Sequence, residues 1–129
     1  MKRAVMCALL VSGCQWLPGT SDWQLRTRTE EAVRRNLKDP DSAQFTDMQF
    51  YVVRDLACGK VNAKNAYGGY TGPRDFAYFE GAASSLDWDA DPNRYLRAQH
   101  ECLIEHVALL REQNPDVRFD DVPAFKPLK

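Results

Sequence analysis

The chain has 129 residues, 44% of them hydrophobic and 27% charged, and a formal net charge of −1 at pH 7. That length suits one domain, and that composition excludes a disordered chain while permitting a modest core. Scattered basic residues on a near-neutral chain exclude the electrostatic footprint of a nucleic-acid binder, and no run of about 18 apolar residues is present to cross a bilayer.

The first segment, MKRAVMCALLVSGC, has the order of a targeting signal. Lys2 and Arg3 form a basic n-region, and Ala4 to Val11 form an apolar stretch too short to anchor by itself. Val11-Ser12-Gly13-Cys14 resembles the lipobox of bacterial lipoproteins: an aliphatic residue, two small residues, then cysteine. The resemblance implies cleavage after residue 13, acylation of Cys14 and attachment to the bacterial membrane, since several acyl chains on one residue make a stable anchor. A plain secretory signal cut elsewhere is the alternative. Gln15 stands where an aspartate would hold an enterobacterial-type lipoprotein at the inner membrane, which favours the outer membrane, domain facing the periplasm. Without Lys2 and Arg3, the 17 basic side chains fall to 15 against 18 acidic ones, a formal charge of −3.

Residues 14–26, with Pro, Gly, Ser and Asp around Trp16 and Trp23, read as a tether. At roughly 3.3 Å per residue it reaches up to about 40 Å from the bilayer. Trp16 suits the headgroup level, and Trp23 is expected instead to pack on the domain. A single domain is then expected over 27–129. Thr27 and Glu30 have capping-box spacing, and a helix is expected from there through Leu37, with Ala32, Val33, Asn36 and Leu37 inward and Asp39-Pro40 as its stop. Phe45 to Leu56 alternates, with Met48, Phe50, Val52 and Leu56 on one face, and reads as a first strand. Lys60 to Lys64 reads as a second strand and Asp75 to Glu80 as a third, Phe76 and Tyr78 opposite Ala77 and Phe79. Asp91 and Pro92 are a good N-cap and first helical residue. The helix they open should run to about Gln113, carrying Leu96, Leu103, Val107 and Leu110 at helical spacing. Asn114-Pro115 stops it, and the Pro-rich remainder should lie as an extended tail. The expected fold is α+β: a helix, a three-stranded antiparallel meander and a long helix, in two layers with both helices on one sheet face.

Four cysteines reduce to two once Cys7 leaves with the signal and Cys14 takes lipid. Cys58 and Cys102 have one possible pairing, and an oxidising periplasm favours it. A catalytic thiol is the rival and needs a reduced cysteine beside a base.

The motifs that suggest chemistry mostly fail on spacing. Asp87, Asp89 and Asp91 alternate like the opening of a calcium loop, but proline stands where the loop needs glycine and Ala98 where it needs glutamate. His100 and His106 flank glutamates without the four-residue interval of a metalloprotease helix, because Ile104 holds that place. Cys102 and His106 have that interval, but a disulfide consumes the thiolate. Glu101 and Glu105 read as a solvated edge. No G-x-S-x-G nucleophile elbow is present. No metal, cofactor or catalytic residue is therefore assigned.

The stretch VNAKNAYGGYTGPRDF, Val61 to Phe76, has the glycines of a phosphate loop, but between two strands, where no helix N-terminus faces an anion. Two readings stay open. In one, Gly68, Gly69 and Gly72 supply positive φ for a wide hairpin connection. In the other, Asn62, Lys64, Asn65, Tyr67, Gly68, Gly69, Tyr70 and Arg74 form a recognition tip of tyrosines on a glycine loop, suited to a protein or glycan partner.

DPDSAQF, Asp39 to Phe45, together with CGKVNAKNAYGGYTGPRDFAYF, Cys58 to Phe79, resembles a set of small secreted or lipid-anchored bacterial proteins of uncharacterised function. The resemblance covers a little under half of the mature domain and implies a shared fold and no activity. Size and address then suggest an envelope binding protein without enzymatic activity, of the inhibitor or immunity type. The alternatives are an envelope-assembly accessory docking through Val117 to Phe125, and an enzyme or metal protein using His100 and His106.

Overall fold

The structure is a computed structural model and describes residues 22–129. The signal peptide, Cys14 and Trp16 lie outside the described residues. Helix α1 spans Asp22–Arg34, and strands β1 (Gln44–Tyr51), β2 (Leu56–Asn62), β3 (Arg74–Phe79) and β4 (Ala82–Ser84) follow. Helix α2, Pro92–Gln113, closes the order. The class is α+β, built on a four-stranded antiparallel sheet in the order β1-β2-β3-β4.

The α1 sequence buries Leu25, Thr29, Ala32 and Val33, which recur at one helical face. Residues 22–26 therefore belong to the domain and not to the tether, while Trp23 points largely into solvent. The capping box does not form. Thr27 lies inside the helix and donates to the Trp23 carbonyl, and Glu30 instead joins a ladder with Arg26 and Arg34, each four residues away. The helix ends at Arg34, three residues short of Leu37, in tighter i→i+3 bonds from Asn36 to Val33 and Leu37 to Arg34. Asn36 faces solvent and binds the Ala32 carbonyl, so it is not part of the inward stripe.

The expected first strand is two elements. β1 ends at Tyr51, a short 3-10 turn takes Val52–Arg54, and Asp55 adopts a left-handed conformation (φ 48°) that reverses the chain. Tyr51 then pairs with Leu56, the first residue of β2. β1 also carries a bulge between Thr46 and Gln49, with Asp47 at φ 53°. The extra residue puts Phe45 and Phe50 on the same face despite their odd separation. β4 follows β3 through Glu80-Gly81, both at positive φ, the conformation a two-residue hairpin requires.

The sheet has a helix on each face, so the domain has three layers where two were expected. Ala57, Val61, Phe76, Tyr78 and Ala83 meet α1, with Phe45, Met48, Phe50 and Val52 packed around them. Tyr51, Leu56, Cys58 and Ala77 meet Ala98 and Cys102 of α2. Strands buried on both faces lose the polar alternation of a half-exposed strand. This is why Leu56-Ala57-Cys58 did not read as the start of β2.

Asp91 caps α2 by accepting from the Asn93 amide (2.9 Å), and Pro92 takes the first turn, as expected. The buried face is Tyr95, Ala98 and Cys102, not the leucine stripe. Leu103 is 48% exposed, while Leu96, Val107 and Leu110 are half-buried. Small side chains at 98 and 102 let the helix lie close to the sheet, and Cys58 joins Cys102 across that contact, with Cα atoms 6.4 Å apart. The tail runs back along α2. Arg111 donates to the Phe119 and Asp120 carbonyls, His100 Nε2 donates to the Pro123 carbonyl, and Asn93 both donates to and accepts from Leu128.

Candidate binding surface

The connection from β2 to β3 is the most elaborated loop of the domain. Lys64 and Tyr70 form an isolated antiparallel bridge, so the hairpin continues beyond the strands and closes on a small turn. Asn65 organises that turn. Its carbonyl accepts from Gly68 N (3.0 Å), its amide donates to the Gly69 carbonyl (2.8 Å), and its Oδ1 accepts from Tyr67 N (2.9 Å) and Gly69 N (3.2 Å). Asn62 Oδ1 accepts from Gly72 N (3.2 Å), tying the return path. Gly68 and Gly72 take the positive φ expected of them and Gly69 does not. Asn62 and Asn65 thus hold the loop's own backbone, a use of asparagine that substitutes side-chain acceptors for ladder partners.

The loop is also fastened from outside. Ser42, at the end of the 3-10 turn Pro40–Ser42, accepts from Lys64 N at its Oγ (2.8 Å) and donates to the Asp39 carbonyl (2.8 Å). Tyr70 OH donates to the Ser42 carbonyl (3.4 Å), and Gln44 donates to the Tyr70 hydroxyl (3.4 Å). DPDSA and VNAKNAYGGY are therefore one structural unit, joined at Ser42. Lys64 Nζ lies 5.7 Å from the Tyr70 ring centroid, within cation–π range. Tyr67, by contrast, is 97% exposed at the tip. Arg74 opens β3 and faces Asp87 at 3.6 Å.

The other residues that suggested chemistry have structural work. Asp89 accepts from Ser85 N (3.1 Å) and faces Arg94, and Asp91 caps α2. Glu101 and Glu105 both pair with Arg54, at 2.6 and 3.0 Å, and so clamp the β1–β2 turn to α2 rather than idle at an edge. His100 bonds the tail and stacks obliquely with Phe125 (5.9 Å between centroids), whereas His106 lines a shallow hollow with Gln49, Phe50 and Tyr51. Among the described residues no three His, Cys, Asp or Glu side chains gather as a metal set. Burial raises the hydroxyl pKa of Tyr51, Tyr78 and Tyr95 above the ordinary value near 10, with Glu105, Asp55 and Asp75 respectively adding to it. Missed from sequence were Ser42, Lys38 and Trp88, which border the loop. For Ser42 a signal was present, since it sits in the turn that accompanies the glycine loop in the resemblance.

No protein-family model matches the chain, and no curated protein and no solved structure matches it. Function therefore rests on this chain's own residues. No helix among the described residues is long and apolar enough to cross a membrane.

Proposed function

We propose that this chain is a lipid-anchored protein of the bacterial outer membrane, held through Cys14 with its domain facing the periplasm, and that it acts by binding an envelope protein rather than by catalysis. On this reading the β2–β3 loop is the contact surface and the role is that of an inhibitor or immunity protein. Its kinship is with the small secreted or lipid-anchored bacterial proteins that share the CG-VNAKN-YGGY pattern.

One observation carries the binding reading. Tyr67 is 97% exposed on a loop whose backbone is tied by Asn62, Asn65 and Ser42. A large amphipathic side chain held out on a preformed loop loses little conformational freedom on association. An aromatic anchor of that kind is typically worth about 2 kcal/mol or more, about 30-fold in affinity.

The test is quantitative capture from envelope extracts with three baits: wild type, Tyr67→Ala, and Val53→Ala. Val53 is 99% exposed in the turn at the opposite end of the β1–β2 hairpin and serves as a control for loss of exposed apolar surface. At least one protein should be recovered by wild type and Val53→Ala and lost with Tyr67→Ala. Equal recovery by all three would leave the loop a hairpin connection.

A further inference from the structure

A cleft of about 330 Å³ lies against the inner side of the Gly-Tyr loop. Its walls come from three separate connections: Lys38 after α1, Lys64 from the loop, and Asp87 and Trp88 from the turn before α2, with Arg74 at the start of β3. Three cations meet one carboxylate there, so the lining is formally +2 on a chain whose formal charge is −1. Clefts lined by one sign of charge concentrate ligands of the other. Asp87 does little to quench it. The Arg74–Asp87 pair is 3.6 Å long with both side chains more than a third exposed, and such pairs are weak in water. Arg74 thus has donors to offer in the fork geometry that carboxylates fit. Lys64 is held in place by the Tyr70 ring and by its own backbone bond to Ser42. Trp88 shares the cleft wall, so its indole resonance reports on what the cleft holds.

We infer that this cleft is a carboxylate-binding site, and that it receives an acidic side chain or chain terminus of the protein held by Tyr67. The inference rests on the contact-surface reading for the identity of the ligand's owner. The cleft's own chemistry stands on the cations. Lys64 and Arg74 supply charge, and Arg74 the two-point geometry. Tyr67, on the outer side of the same loop, reads the partner's apolar surface.

The test uses the full-length chain with nitrogen-15-labelled indoles, the Trp88 resonance being assigned with Trp88→Phe. Three probes are titrated: an acetylated and amidated diglutamate peptide, its diglutamine counterpart, and inorganic phosphate. Diglutamate should move the Trp88 indole resonance saturably, and diglutamine and phosphate should not. The double variant Lys64→Gln/Arg74→Gln should bind diglutamate at least tenfold more weakly, with its remaining spectrum unchanged to show an intact fold. An equal response to diglutamine, a stronger one to phosphate, or unchanged affinity in the double variant overturns the proposal. The two readings fail separately. If Tyr67→Ala loses the envelope protein while diglutamate leaves Trp88 unmoved, the cleft falls and the contact loop stands. If Tyr67→Ala keeps the envelope protein while diglutamate moves Trp88, the carboxylate site stands and the contact loop falls.

Discussion

Replacing Cys58 and Cys102 together by alanine removes the covalent tie between β2 and α2. The cysteines are 44 residues apart in sequence, and releasing a loop of that length is worth about 4 kcal/mol in the chain-entropy treatment. That is a large share of the roughly 5–15 kcal/mol by which small domains are stable. Packing offers little to replace it. α2 buries only Tyr95, Ala98 and Cys102, and its other ties to the sheet side are the half-exposed Arg54 pairs and the Gln99 bond to the Phe76 carbonyl (3.2 Å). Exposed ion pairs contribute about 1 kcal/mol or less each. Urea unfolding followed by far-ultraviolet circular dichroism measures the effect. With an m value of about 2 kcal/mol per molar, the midpoint should fall by about 2 M. Reductant should lower the wild-type midpoint to the same place and leave the double variant unchanged. A fall under about 0.5 M would mean that packing alone holds α2, and the reasoning would be wrong.

Three further outcomes follow from named contacts. In Gly59→Ala the new Cβ would lie 2.6 Å from Met48 Sδ, 3.2 Å from the Thr46 carbonyl oxygen and 3.3 Å from Phe76 Cζ, and overpacking of that kind costs about 1–3 kcal/mol. Urea midpoints of Gly59→Ala with and without Met48→Ala should show partial rescue by the second change, and strict additivity would contradict the clash. Tyr51, Tyr78 and Tyr95 have hydroxyl pKa values raised by burial, so the folded state keeps protons that the unfolded chain sheds above about pH 10. Their stabilisation is complete below that pH and lost as pH climbs through the folded values, and a thermal midpoint level through about pH 11 would refute this. Cys14→Ser should abolish incorporation of a clickable fatty acid, and undiminished labelling would remove the lipid anchor.

What the sequence made legible was the part carried by local signals. Asp91-Pro92 and Asn114-Pro115 bound α2 correctly, and the alternation of Phe76 to Phe79 placed β3. The turn between β1 and β2 was hidden because Val52-Val53-Arg54-Asp55 holds no glycine, proline or asparagine, and the period-two pattern runs through it. α2 shows how periodicity finds a helix without telling which apolar face is covered: Tyr95, Ala98 and Cys102 go to the sheet and the leucines turn aside. The capping-box spacing of Thr27 and Glu30 arose inside a helix, where the same interval serves other bonds. At the surface, the loop, its tyrosines and its asparagines were visible, but not that the asparagine side chains tie the loop's own backbone. Lys38 and Trp88 join Lys64 only where three separate connections meet in the fold, which no single window of sequence contains.

The most direct test of binding through the loop places a photoactivatable crosslinking residue at position 67 in living cells, with Glu31, exposed on α1, as the comparison site. Light should produce a discrete adduct of one envelope protein from position 67 and none of that mass from position 31. No adduct at 67, or the same adducts from both sites, would contradict it.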